Sequence, residues 1–345
     1  MKFFRFALPT TVAIGGCAVL AFGACSDDPP VTTPTPTGEC APSDASCPSL
    51  AVTSDCQALT DNSGKDSFAL RIAQLSLEKP AGLVEEFVYK IVATGVYWDL
   101  PQCNITGDGT FSWITVFDKT TGKLKSGGAK PVADPSQGYC FDYDAANAVQ
   151  PVEVDANLGD DGSFETDPIP LVVVPIYQDL EAKDAIYLPL RDARIHTAKI
   201  SGDQNCIGSF NASGLEPGNL CLSDYTADPY VETYVNGGIL DGFITLEDAD
   251  EVLVPQLNQT LCVLLSGDSS EFGEGADPIK CKRDGGNIVF EGDFCSTTKE
   301  AGGCNDAVEL RARIAAAAVE MRSDCPEAPG SGGAGGAGDG GAGGG

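Results

Sequence analysis

The chain has 345 residues, of which 50 are acidic and 21 basic, giving a formal net charge of −29. Residues 131–182 and 200–279 contain no Lys or Arg. Nucleic acids are held by basic side chains that neutralise phosphates, and anionic lipid surfaces also attract basic residues. The composition therefore excludes a nucleic-acid partner and direct electrostatic binding to a lipid surface.

Residues 1–24 have the pattern of a secretory signal peptide. Two basic residues precede an apolar stretch at 6–22, and the small pair Gly23-Ala24 precedes Cys25. This pattern resembles the lipobox of bacterial lipoproteins, in which a signal peptidase cleaves before a cysteine that is then acylated. The resemblance implies that Cys25 becomes the lipidated first residue and that its acyl chains hold the protein on a membrane.

Cys17 is an alternative acceptor, but the apolar run continues past it, whereas residues 26–30 turn abruptly polar after Cys25. A plain secretory peptide cleaved near Ala24, or an uncleaved membrane anchor, is the other interpretation. We expect a lipid-anchored, extracytoplasmic protein of the cell envelope, on the outer membrane or cell surface rather than in the soluble periplasm.

Composition divides the rest of the chain into three parts. Residues 25–49 are rich in Pro, Thr and Ser and are expected to form an extended tether. Residues 329–345 are almost entirely Gly and Ala, which cannot pack a core. The globular body is expected over residues 50–328, with a sub-boundary near 200–240.

The number and spacing of the cysteines indicate disulfides rather than a metal site. None is spaced as C-x-x-C and His196 is the only histidine, so a structural zinc site is excluded. An exported chain meets an oxidising compartment, where cysteines pair. Besides Cys17 and Cys25, twelve cysteines are expected to form disulfides: Cys40, Cys47, Cys56, Cys103, Cys140, Cys206, Cys221, Cys262, Cys281, Cys295, Cys304 and Cys325.

Two local pairings, Cys206 with Cys221 and Cys103 with Cys140, are the simplest expectations. Residues 305–323 are predicted to be helical and would span roughly 27 Å at the rise of an α-helix. Disulfides need Cα atoms within about 7 Å of each other. We therefore expect Cys304 and Cys325, which flank this helix, to bond elsewhere.

Short runs of β-branched and aromatic residues, separated by turn signals, predict most of the body to be β-structure. The run at 111–117 and the residues 123–125 flank Gly122 and predict a hairpin. Pro175 places its strand at an edge or a bulge. The other predicted strands are 68–77 with half-buried alternation, 87–98, 171–177 and 185–200.

Helix signals are few. Thr245 followed by Asp248 predicts a capped helix at 246–251, residues 257–265 are ambiguous, and residues 307–322 carry an apolar stripe typical of a helix. The expected fold is mainly β, a disulfide-bonded β-sandwich or jelly-roll-like body with a small α-containing C-terminal part.

The acidic loop at 155–165 is a candidate calcium site, because Ca²⁺ prefers closely spaced oxygen ligands on a flexible loop. The candidate ligands are Asp155, Asn157, Asp160 and Asp161. The spacing does not fit an EF-hand, since Asp160 stands where that motif carries Gly. An ordinary Asp/Asn/Gly turn is the simpler interpretation, and no other cofactor is expected.

Other motifs predict no catalytic residue. Gly267-Asp268-Ser269 resembles the Gly-Asp-Ser of trypsin-like proteases over three residues only, and His196 lacks the surroundings that the catalytic histidine has in that family. A lone strand histidine is usually packed or solvated. Ser76 and Lys79 spell S-x-x-K but precede Pro80 in a predicted strand, where a helix is needed. The acids of residues 247–251 are explained by the first turn of a helix, where its dipole favours negative charge.

Two segments, residues 111–131 and 205–267, are similar to uncharacterised lipoproteins of myxobacteria, a resemblance that implies no activity. The leading hypothesis is a cell-envelope lipoprotein with a non-enzymatic structural or binding role, its protein or glycan partner unknown. The alternatives are a secreted carbohydrate-active hydrolase that uses paired carboxylates and a calcium-stabilised adhesive module.

Overall fold

β-Strands dominate the computed structural model, which describes residues 55–84, 95–98, 107–211, 232–267, 272–273 and 277–326. Contacts divide the chain into residues 1–33 and 34–345, and every described residue belongs to the second unit. The expectation of a mainly β fold is confirmed.

The strands are β1 (Ser67–Lys79), β2 (Ser112–Asp118), β3 (Lys123–Ala129), β4 (Val152–Leu158), β5 (Ser163–Thr166), β6 (Ile169–Tyr177), β7 (Ala185–His196), β8 (Ala198–Lys199), β9 (Cys206–Ile207), β10 (Ser209–Phe210), β11 (Tyr234–Val235), β12 (Gly238–Thr245), β13 (Leu253–Val254), β14 (Gln259–Thr260), β15 (Arg283–Asp284), β16 (Asn287–Ile288), β17 (Phe294–Cys295), β18 (Glu300–Ala301) and β19 (Ala307–Val319). The described α-helices are short: α1 (Ala81–Val84), α2 (Leu246–Glu251) and α3 (Leu261–Ser266). Single 3-10 turns lie at Pro135–Gln137, Ala145–Asn147 and Pro255–Leu257.

One large antiparallel sheet organises the molecule. Its strand order is β6-β7-β12-β19-β1-β2-β3-β4-β5-β8, and β9 and β17 add to β19. The sheet curls over, so that β3 and β4 contact β6, and β5 contacts β7. The apolar side chains of the two facing layers form the core, as in a β-sandwich. β7 and β12, which lie on either side of residues 200–237, pair directly with each other.

The predicted helix at 307–322 is wrong, because residues 307–319 form β19 in the middle of the sheet. β19 pairs with β1 on one side and with β12 on the other. Its residues 314–319 are buried on both faces, where small alanines let the two layers approach. A strand between two partners satisfies its backbone groups on both edges, and this tertiary pairing outweighs the helix propensity of alanine.

β1 also differs from its predicted half-buried alternation, because residues 68–77 are buried on both faces. The most unusual member is Arg71, a fully buried guanidinium. It donates to the Phe111 carbonyl at 2.9 Å and to Ser112 Oγ at 3.1 Å, and it lies over the rings of Trp98 and Tyr139. Burial lowers the pKa of Arg71, and the carbonyl and the aromatic faces replace part of the lost hydration.

Local signals predicted several elements correctly. The hairpin β2–β3 turns at Gly122, which has φ +66°. β6, which contains Pro175, is the first strand of the sheet order and therefore an edge. The segment 257–265, which the sequence left ambiguous, contains β14 and most of α3. Most of the predicted strand at 87–98 lies outside the described residues, and its described end, 95–98, is not a strand.

Four disulfides join described cysteines: Cys56–Cys206, Cys140–Cys325, Cys262–Cys281 and Cys295–Cys304. The local pairings Cys206–Cys221 and Cys103–Cys140 are therefore wrong. Two of the bonds close very long loops, with separations of 150 and 185 residues, because the sheet brings distant strands together. Cys304 and Cys325 do bond elsewhere, although the segment between them is a strand. The remaining cysteines lie outside the described residues.

A small cavity of about 60 Å³ lies inside the curled sheet, closed by α1 and α3. Every described residue that lines it is apolar, including Leu75, Trp113 and Leu188. An apolar cavity of this size stays dry, and its described lining offers no polar surface to orient a ligand. We therefore regard it as part of the core.

Candidate functional site

A pocket of about 290 Å³ lies on the outer face of the sheet, where β7, β12 and β19 run side by side. The strands form its floor. Phe294, and Lys299 from the loop closed by the Cys295–Cys304 disulfide, form its wall. Both the charged and the aromatic side chains of this region point into it, which distinguishes it from the apolar cavity on the other side of the sheet.

Strand register creates the charged floor. Asp241 on β12 lies opposite Arg194 on β7 and opposite Arg311 on β19. Arg311 in turn lies opposite Lys79 on β1. Directly opposed cross-strand residues have Cβ atoms about 5 Å apart, so four charged side chains form a row across four strands.

Asp241 is the centre of this row. Arg311 donates two hydrogen bonds to it, at 2.7 and 3.1 Å, and His196 Nε2 lies 2.7 Å from Oδ2. The carboxylate is only 11% exposed. Burial on its own would raise the pKa of Asp241, but the hydrogen bonds from Arg311 and His196 outweigh burial and hold the pKa below its usual value. Asp241 is therefore a fixed, ionised acceptor.

Arg194 is held more loosely. Its guanidinium lies 3.7 Å from Asp241, which is too far for a hydrogen bond, and 52% of its side chain is exposed. Its N–H groups are thus available to a molecule in the pocket.

A bulge in β7 adds a second acid to the pocket. Arg191 pairs with Phe243 and Arg194 with Asp241, so β7 has one extra residue between these pairs. The bulge contains Asp192, at φ +47°, whose carboxylate forms an ion pair with Lys299 from the wall. A bulge of this kind redirects side chains, and here it brings Asp192 and Lys299 into the same pocket.

Aromatic rings close the inner end of the pocket. Phe294 on β17 packs on Phe243 on β12, with ring centroids 5.2 Å apart. Next to them, Glu309 accepts a 2.7 Å hydrogen bond from Lys79. Each acidic side chain of the pocket is therefore paired with a base, beside a half-buried aromatic surface.

Among the described side chains, His196 contacts those of Thr197 and Asp241. Its Nδ1 lies 2.9 Å from Thr197 Oγ1 and its Nε2 contacts Asp241. Ser269, the serine of the protease-like pattern in the sequence, lies outside the described residues.

The acids of residues 247–251 do more than interact favourably with the dipole of α2, because each also forms an ion pair with a base outside the helix. Thr245 caps α2 as predicted, accepting from Asp248 N. The pairs are Asp248 with Arg191, Asp250 and Glu247 with Arg283, and Glu251 with Lys280. Asp250 is fully buried and accepts from Thr260 Oγ1 and from Cys281 N.

Two of the four predicted calcium ligands, Asp155 and Asp161, already form ion pairs with lysines. Asp155 on β4 forms a 2.6 Å ion pair with Lys123. Asp161 accepts from Ser163 Oγ and Ser163 N and lies 3.5 Å from Lys199, and these contacts lower its pKa to about 2. Asn157 pairs in register with Glu165 on β5, and Asp160 lies in the exposed turn between these strands.

A calcium ion at this loop would have to displace the two lysines. We therefore expect the melting temperature of the full chain to be the same in EDTA and in millimolar CaCl₂. A higher melting temperature in calcium, lost in the double variant Asp160→Asn, Asp161→Asn, would contradict this and support the calcium-stabilised module.

Two groups of described side chains have the proximity of metal ligands: Asp250 with Cys262 and Cys281, and Asp306 with Cys295 and Cys304. In both, the two cysteines are bonded to each other, so neither offers a thiolate. Cys25, the predicted lipidation site, lies outside the described residues. Among the described helices, none is long and apolar enough to cross a membrane.

No known protein family matches the chain, and no curated protein or solved structure is significantly similar to it.

Proposed function

We propose that this chain is a lipid-anchored protein of the cell envelope with a non-enzymatic binding role, and that the charged pocket is its ligand site. The observation that carries the binding role is the convergence of fixed acids and bases, a loosely held arginine and an aromatic wall on one pocket. Ligand sites commonly combine an apolar surface with a few precisely placed polar groups. In a chain with only 21 basic residues, the concentration of Arg194, Lys299 and Arg311 at one place calls for such a role.

The state of the acids favours binding over hydrolysis. A glycoside hydrolase needs a carboxylic acid whose raised pKa keeps it protonated, and a second carboxylate opposite it. In this pocket each carboxylate is paired with a base, and the pKa of Asp241 is lowered. These groups are suited to holding a ligand in one orientation, and poorly suited to donating a proton.

The lipid anchor is supported by the lipobox-like pattern ending at Cys25 and by the disulfides, which form in oxidising compartments. We expect cells that express the chain and are fed an alkyne analogue of palmitate to label the wild type and the control Cys17→Ala, but not Cys25→Ala. Equal labelling of wild type and Cys25→Ala, or an unlabelled wild type, would refute the anchor at Cys25.

The binding role has its own test, which uses the exposed Pro168 at the pocket rim. The substitution Pro168→Trp places a large ring at the opening without changing any charge. We expect small polar molecules to raise the melting temperature of the wild type by mass action and to lose this effect in the variant.

A further inference from the structure

We infer that the pocket binds a neutral, hydroxyl-rich ligand, namely a sugar residue of a glycan. This inference rests on the proposed binding role and names the class of ligand. It follows from three properties of the pocket, which are its charge balance, its alternation of donors and acceptors, and its aromatic wall.

The charges of the lining cancel. They are Asp192, Asp241 and Glu309 against Arg194, Lys299 and Arg311. An anionic ligand would compete with the carboxylates that already engage Lys299 and Arg311, in a protein whose net charge of −29 repels anions. A cationic ligand would meet three bases, of which Lys299 and Arg311 are held by ion pairs. A ligand without net charge avoids the repulsion by like charges in either case.

Donors and acceptors alternate along the floor. Arg194 donates, Asp241 accepts and Arg311 donates, at the spacing of neighbouring strands. A sugar hydroxyl both donates and accepts, so two adjacent hydroxyls can bridge neighbouring members of this row. Hydrogen bonds to ionised groups are stronger than those between neutral groups. Because Asp241 is fixed by Arg311 and His196, its orientation is set before the ligand arrives.

The wall supplies an apolar surface beside this row. Phe294 is half-buried and is fixed against Phe243. The C–H groups on one face of a pyranose ring are apolar, and they pack on an aromatic ring while the hydroxyls at its edge point toward the polar floor. The Cys295–Cys304 disulfide holds this wall, since it closes the loop that follows Phe294.

The test uses the purified full chain in detergent. Its melting temperature and calorimetric titrations are measured with glucose, galactose, mannose and N-acetylglucosamine, with succinate and malate, and with glycine and glutamate. A glycan array extends the first group. We expect at least one neutral saccharide to bind, Arg194→Ala to weaken binding at least tenfold, and Pro168→Trp to abolish it. The matched control is Arg322→Ala, which removes an exposed arginine paired with Asp324 outside the pocket and should leave binding unchanged.

The outcomes separate the inference from the proposed function. Binding of only carboxylates or amino acids, abolished by Pro168→Trp, would overturn the saccharide inference and keep the binding role. Saccharide binding that is insensitive to Arg194→Ala and Pro168→Trp would overturn the assignment of the pocket. No binding by the array or by any compound of the panel would overturn both.

Discussion

Replacing Asp250 by alanine is expected to lower the free energy of unfolding by about 3 to 4 kcal/mol. The Asp250 carboxylate is fully buried and is bound by the Thr260 hydroxyl, the Cys281 amide and the Arg283 guanidinium. Its removal leaves a buried hydroxyl and a buried amide without their acceptor, next to the Cys262–Cys281 disulfide. Urea denaturation followed by circular dichroism, under non-reducing conditions, measures this loss.

Glu247 provides the matched control, because it binds the same Arg283 but is 65% exposed. Exposed ion pairs contribute little, so Glu247→Ala should cost less than about 1 kcal/mol. If the two variants were equally stable, the buried carboxylate would not be the group that holds α2 to the disulfide-linked segment at Cys281.

The substitution Asp241→Asn is expected to cost about 2 kcal/mol at neutral pH, since it removes the charge from the hydrogen bonds with Arg311 and His196. The loss in free energy of unfolding is no larger because Arg311 and Arg194 are partly exposed and can be rehydrated. We also expect saccharide binding to be lost in this variant, because the central acceptor of the row is neutralised. Urea denaturation at pH 7, together with the calorimetric titration, measures both effects.

The Asp241→Asn difference should depend on pH in a defined direction. The carboxyl of the unfolded chain titrates near 3.8, and the pKa of folded Asp241 is lower. Its stabilising contribution is therefore complete well above pH 3.8 and is lost as the pH falls through the lower value. We expect the difference between wild type and variant to shrink as the pH falls below 3.8, whereas Asp324→Asn, at an exposed ion pair, should resemble the wild type throughout. A difference that did not shrink on acidification would mean that the effect is not electrostatic.

Elements governed by local chemistry were predictable from the sequence. A capping hydroxyl at Thr245 and a glycine at the β2–β3 turn act on residues a few positions away, and both elements form where expected. β19 was not predictable in this way, because its apolar spacing and alanine content are those of a helix. Its conformation is decided by pairing with β1 and β12, which lie far away in sequence.

The pocket could not be predicted from the sequence, because it too depends on pairing between strands that are far apart in the chain. Its lining residues carry no motif, and what unites Arg194, Asp241 and Arg311 is the register of three strands. One available signal was the presence of two arginines in each of two short segments, 191–194 and 311–313, of a chain that is otherwise poor in bases. The disulfides were equally non-local, since their partners depend on which strands the sheet brings together.

The central position of β19 also leaves two edges open until it joins the sheet. β19 follows β1 and β12 in the chain, so each of these strands carries an unpaired edge until β19 lies between them. Exposed edges recruit strands from other molecules, and contacts between distant segments form slowly. Molecules of this protein in which β19 has not yet paired are therefore open to aggregation, and a chaperone that covers β1 and β12 would protect them during this interval.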